Sequence, residues 1–175
     1  MDVTLNMKFL EHCEPGELVR AHFGLKVEWG IVADRQQQKR VVVISGNNAP
    51  WYLDPQGAVL SCLSYGREYD LLPEYGGPCV VFTGSFPAIE PGTLVYACPA
   101  GGRGTTDRYL IVRATGRAAS AGPLISLNLN QFNLGGEPGD NRAGFKRWSI
   151  WMRLPPDPDH PMKVCEHDQE NPQEH

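Results

Sequence analysis

A chain of 175 residues is long enough to bury a core without a metal or disulfide staple, and at 41% hydrophobic residues it lacks the composition of a disordered segment. Its 19 glycines and 15 prolines lie well above average usage, which argues against long helices and for many short strands joined by turns. The net charge of −4 conceals a partition: residues 1–99 hold 7 Lys+Arg against 11 Asp+Glu, residues 100–154 hold 8 against 3, and residues 155–175 hold 1 against 6.

In chain order, Val3, Leu5 and Met7 alternate with polar neighbours and predict an edge strand before Cys13. Glu14-Pro15-Gly16-Glu17-Leu18-Val19 then sets a turn feeding a strand over 18–23, followed by a second over 25–33 with Leu25, Val27, Trp29 and Ile31 on one face. The polar run Asp34 to Arg40 reads as a turn, and Val41-Val42-Val43-Ile44 as a covered central strand. Shorter strands are predicted over 51–53, 58–65, 69–72 and 79–83, separated by Pro- and Gly-containing turns.

The first turn recurs 76 positions later, with one substitution, as Glu90-Pro91-Gly92-Thr93-Leu94-Val95. Two further blocks match in order: Trp29-Gly30-Ile31-Val32 with Tyr109-Leu110-Ile111-Val112, and Val43-Ile44-Ser45 with Leu124-Ile125-Ser126. The chain therefore reads as internally duplicated, the second copy carrying its extra residues in the glycine-rich loop 100–104. Strands are predicted there over 93–98, 109–114, 124–132 and 147–154, with a turn-rich loop over 134–141.

The expected fold is all-β: two pseudo-repeated units, 1–88 and 89–154, forming SH3-like barrels or the two halves of a β-sandwich, with no substantial helix. Residues 155–175 have too few apolar side chains to offset ordering entropy, and an acidic, disordered Pro-rich tail is expected.

The five cysteines (Cys13, Cys62, Cys79, Cys98, Cys165) are odd in number and include no C-x-x-C pair, so reduced thiols are expected. The first ten residues carry no apolar run of signal-peptide length, and no segment approaches the roughly 20 apolar residues of a membrane span. A cytoplasmic protein without membrane contact is the expectation.

His12-Cys13 and the tail residues His160, Cys165, His167 and His175 lack zinc-site spacing, and neither metal nor cofactor is expected. There is no nucleophile elbow; Ser45 and Ser126, at matched strand ends, read as turn caps. The loop Gly101 to Arg108 offers amides, hydroxyls, Arg103 and Arg108, but lacks the Lys and the following helix of a phosphate loop. The most suggestive stretch is 146–154. As a strand it places Trp148, Ile150, Met152 and Leu154 toward the core, and Arg147, Ser149, Trp151 and Arg153 on the opposite face. An aromatic beside two guanidinium groups suits a Trp-centred protein interface, and equally suits stacking on single-stranded nucleic acid.

Pro91 to Val95 followed by Arg108 to Val112 resembles the opening of MazF/PemK-type toxin barrels, which are endoribonucleases. Where that family usually has proline after the arginine this chain has Tyr109, and the family's later threonine would fall near Ser126. The resemblance implies RNA cleavage with Arg103, Arg108 and Ser126 at the site. The residues themselves favour a non-enzymatic binding or assembly module that meets a protein partner or a second copy of itself through Arg103, Arg108, Arg147, Trp151 and Arg153. Single-stranded nucleic acid is the alternative partner.

Overall fold

The structure, a computed structural model, describes residues 6–54, 60–76, 79–83, 90–98, 106–116, 124–135, 141–153 and 159–169. The first half contains β1 (Asn6–Phe9), a 3-10 turn (Leu10–His12), β2 (Leu18–Phe23), β3 (Lys26–Arg35), β4 (Gln38–Val43), β5 (Trp51–Asp54), β6 (Ser61–Ser64) and β7 (Tyr69–Pro73). The second contains β8 (Cys79–Thr83), β9 (Leu94–Cys98), β10 (Asp107–Gly116), β11 (Leu124–Asn128), β12 (Asn133–Leu134), β13 (Asn141–Phe145) and β14 (Arg147–Met152), and β15 (Met162–Asp168) follows. The fold is all-β, and among the described residues the 3-10 turn is the only helical element. None of it is a helix long and apolar enough to cross a membrane.

The strand pairings of one half recur in the other. β6 lies between β1 and β2, and β13 between β8 and β9. β2-β3-β4 form an antiparallel run, as do β9-β10-β11. Each half then lends a parallel strand to the other, β12 to β3 and β5 to β10. These crossings are sealed by Asp34 N–H to Phe132 C=O at 2.8 Å and Arg113 N–H to Pro50 C=O at 3.0 Å. β7 and β14 pair with each other antiparallel, Leu71 opposite Ile150.

This geometry corrects the sequence alignment of the later blocks. Ile31 pairs with Leu18 and Leu110 with Leu94, so Trp29 corresponds to Arg108, one place before Tyr109. Ile44 N–H bonds Trp29 C=O and Leu129 N–H bonds Arg108 C=O, so Ile44 corresponds to Leu129 and not to Ile125. Hydrogen-bond register outweighs apolar likeness here, because a strand shifted by one turns its core face to solvent.

The main core draws on both halves: Leu18, Ile31, Val42, Ile44 and Tyr52 from the first, Leu94, Leu110, Leu127, Leu129 and Leu134 from the second, with Leu71, Trp148, Ile150 and Met152 between them. Smaller clusters cover the outer faces, Leu10, Cys13, Val19, Ala21, Val32, Val41 and Cys62 on one half and Val95, Ala97, Tyr109 and Ile111 on the other. At about 25 cal/mol per Å² of buried apolar surface, a core shared in this way makes the packing of each half depend on the other.

Three further expectations are corrected. The polar stretch from Asp34 shrinks to Gln36-Gln37, both at positive φ (51° and 65°), so β3 and β4 extend almost to meet. The expected loop gives way at its last residue, where Asn141–Phe145 begins a strand held on both sides by β8 and β9. The expected tail is ordered over Met162–Asp168 as β15, because Cys165 reaches the main core and Trp148 stacks on His167 at 5.1 Å.

Candidate functional site

The Arg and Trp residues picked from the sequence do not form an open basic face. Arg103 and the whole of the loop 100–104 lie outside the described residues. Arg108 is half-buried on β10, opposite Tyr96 of β9, on the larger sheet and away from β14. Ser126 is buried, its hydroxyl donating to Gly135 C=O at 3.3 Å. Arg147, Trp151 and Arg153 do share a face of β14, but the neighbouring strands match each charge. Arg147 Nε stands 3.1 Å from Asp168 on β15, and Arg153 bonds Asp70 on β7 through Nε and Nη2 at 3.0 and 2.5 Å. Trp151 donates its indole N–H to Ser149 at 2.8 Å and lies under the Lys163 ammonium, itself paired with Glu166. The strands on either side of β14 thus neutralise its two arginines, β15 through Asp168 and β7 through Asp70.

Two other arrangements stand out. The first is a buried polar group on the first Pro-Gly turn. Glu17 is only 6% exposed and accepts from Lys8 Nζ at 2.9 Å and Ser64 Oγ at 2.6 Å. Burial would raise its pKa, but the Ser64 and Lys8 hydrogen bonds outweigh it and hold the carboxyl below its ordinary value, while the same contact raises Lys8. Cys13 and Cys62 are buried directly beside this group.

The second is the edge strand β1. Antiparallel partners share a face, so Met7, Leu63, Arg20 and Trp29 line up across β1, β6, β2 and β3, with Phe9 and Val27 flanking them. This face carries Leu18 and Ile31 into the core at one end and meets water at the other, where Met7 is 72% and Phe9 48% exposed. Lys8, the only charged residue of β1, turns to the opposite face and to Glu17.

An open cleft of about 940 Å³ runs between the loop Ser45–Ala49 and β15, with Arg113 and Glu90 at its rim. Of its lining residues, Ser45 donates through Oγ to Glu28 at 2.6 Å, and burial pushes His167 down to about 4.

Sequence reasoning predicts an edge strand through Met7 but misses Phe9 as part of it, and misses Lys8, Glu17 and Ser64 as a group. One signal was available: position 17 is the single difference between the two repeated turns, Glu in one and Thr in the other. Comparison with known proteins finds no matching family model, no matching curated protein and no matching solved structure.

Proposed function

We propose that this chain is a β-sheet assembly module that associates with a second copy of itself through the outer edge of β1. The observation that carries the reading is an unguarded edge. Natural sheets blunt their edges with outward charges, proline or bulges, because an open strand templates further pairing. Among the described residues β1 has none of these: Asn6–Phe9 contains no proline, its lysine is occupied by Glu17, and Met7 and Phe9 stand in water. A two-fold pairing with Lys8 on the axis sets Met7 of each copy opposite Phe9 of the other. Both lysines then lie on the far face with their charges already compensated. Leu63, Val27 and the Arg20–Trp29 stack, 5.2 Å apart, widen the apolar contact.

Light scattering from about 1 to about 200 µM should show a concentration-dependent dimer, and Phe9→Lys or Met7→Lys should weaken it at least roughly tenfold. A monomer at every concentration contradicts the reading. If that monomer instead binds or cuts single-stranded RNA at about 50 mM salt, the toxin-like reading replaces it.

A further inference from the structure

We infer that Cys13 and Cys62 are an oxidisable dithiol that closes to a disulfide and fastens the β1 edge to the sheet. The inference stands on where the two residues sit and holds whether or not β1 is a dimer interface. Cys62 lies on β6, opposite Lys8 of β1 and Ala21 of β2, and points into the small cluster of Leu10, Val19, Val32 and Val41. Cys13 enters the same cluster from the other side, immediately after the 3-10 turn, its N–H bonded to Leu10 C=O at 3.1 Å. Both side chains are essentially fully buried; the Cys13 thiol points to Phe9 C=O at 3.6 Å and the Cys62 thiol to Leu60 C=O at 4.0 Å, on the two sides of the one cluster.

The two thiols are not equivalent. Cys13 follows Glu11 and His12, whose side chains are 61% and 67% exposed, just after the 3-10 turn that leaves the edge strand β1, and it belongs to the small outer cluster and not to the main core. The neighbouring Cys62 thiol favours the Cys13 thiolate, against burial and the nearby Glu17 carboxylate, and Cys62 is raised correspondingly. Cys13 is therefore the thiol that reacts first and Cys62 the one that resolves. A hydroperoxide supplies the oxidising equivalents. The Cys13 thiolate attacks its outer oxygen, forming S–O as O–O breaks and the alcohol (or water) leaves. Cys62 sulfur then attacks Cys13 sulfur, S–S forms, and the hydroxyl departs as water with the Cys62 proton. Two thiols and one hydroperoxide give one disulfide, one alcohol and one water. Cys165 provides an internal contrast: burial raises its thiol to about 12 and it donates to Ile44 C=O at 3.3 Å, deep in the main core.

The test uses the full chain, reduced and then exposed to hydrogen peroxide, followed by alkylation under denaturing conditions and peptide mapping. The expected product has lost two hydrogen atoms, links the Cys13 and Cys62 peptides, and unfolds roughly 5–10 °C higher than the reduced protein, because the bridge closes a long loop. Cys62→Ser should instead leave Cys13 as a sulfenic acid trapped by dimedone. Full alkylation of Cys13 and Cys62 after peroxide, or a link that joins other cysteines, overturns the inference.

Discussion

At Gly16 and Gly92 the backbone follows one path. The φ angles are +91° and +93°, the glycine N–H bonds Val32 or Ile111 C=O at 2.7 Å, and a ring donor from the strand at the interface caps the glycine carbonyl. In the first half that donor is the Tyr69 hydroxyl at 3.0 Å, in the second the Trp148 indole at 2.8 Å. The residue after each glycine then diverges. Glu17 reaches sideways to Lys8 and Ser64 and ties its turn to β1 and β6. Thr93 bonds Glu90 C=O at 2.9 Å and accepts from Gln169 at 3.1 Å, tying its turn to the segment after β15. One substitution thus decides which end of the chain is anchored. In the half anchored by Glu17 the edge strand β1 exposes Met7 and Phe9.

The largest effects should come from what the two turns share. Gly16→Ala would need a left-handed conformation and place its Cβ 2.6 Å from the Phe132 ring, while Gly92→Ala would meet the His167 imidazole. Each should cost about 2–4 kcal/mol in urea unfolding. Shortening His167 to Ala should recover part of the loss at Gly92 and none at Gly16. Equal recovery at both would break the correspondence between the turns and their covers.

Next in size is a pH effect confined to the second half. Burial lowers His167 to about 4, so its neutral form is favoured in the folded state. This contribution is complete above the unfolded value of about 6.5 and is lost as pH falls from there toward 4, by about 2–3 kcal/mol. His167→Phe keeps a ring against Trp148 and should flatten that part of the stability curve; an unchanged slope would show that His167 is not the group responsible.

The first half should respond at lower pH. The Glu17 carboxyl is held below its ordinary value, so its contribution is present above about 4.3 and lost as pH falls through the folded value. Glu17→Gln should cost about 1–2 kcal/mol at neutral pH and remove that acid-limb slope, whereas Thr93→Ala should cost less and leave the slope intact. The smallest effect belongs to the face the sequence singles out. Arg153→Ala breaks an exposed pair with Asp70 and should change stability by less than about 1 kcal/mol.

The legible parts of this fold were those set by local chemistry. The Pro-Gly turns, the alternation through Val27, Trp29 and Ile31, and the run Val41 to Ile44 all read correctly as strand and turn signals. What escaped was set by partners distant in sequence. Asn141–Phe145, Asn-Arg-Ala-Gly-Phe, carries no strand pattern of its own after a turn-rich loop; β8 and β9 make it a strand. Met162–Asp168 looks like an acidic tail until Cys165 is seen against Ile44 and Asp168 against Arg147. The candidate site was missed for the same reason. Lys8, Glu17 and Ser64 are ordinary surface residue types, and their burial together follows from β1, β2 and β6 lying side by side.

The most direct measurement is amide hydrogen exchange of Asn6–Phe9 at low and high protein concentration. If β1 pairs with β1 of a second copy, its outward N–H groups gain partners, and their exchange should slow at least roughly tenfold between about 1 and about 200 µM while β3 and β10 are unchanged. The slowing should vanish in Phe9→Lys. Equal exchange at both concentrations would contradict assembly through this edge.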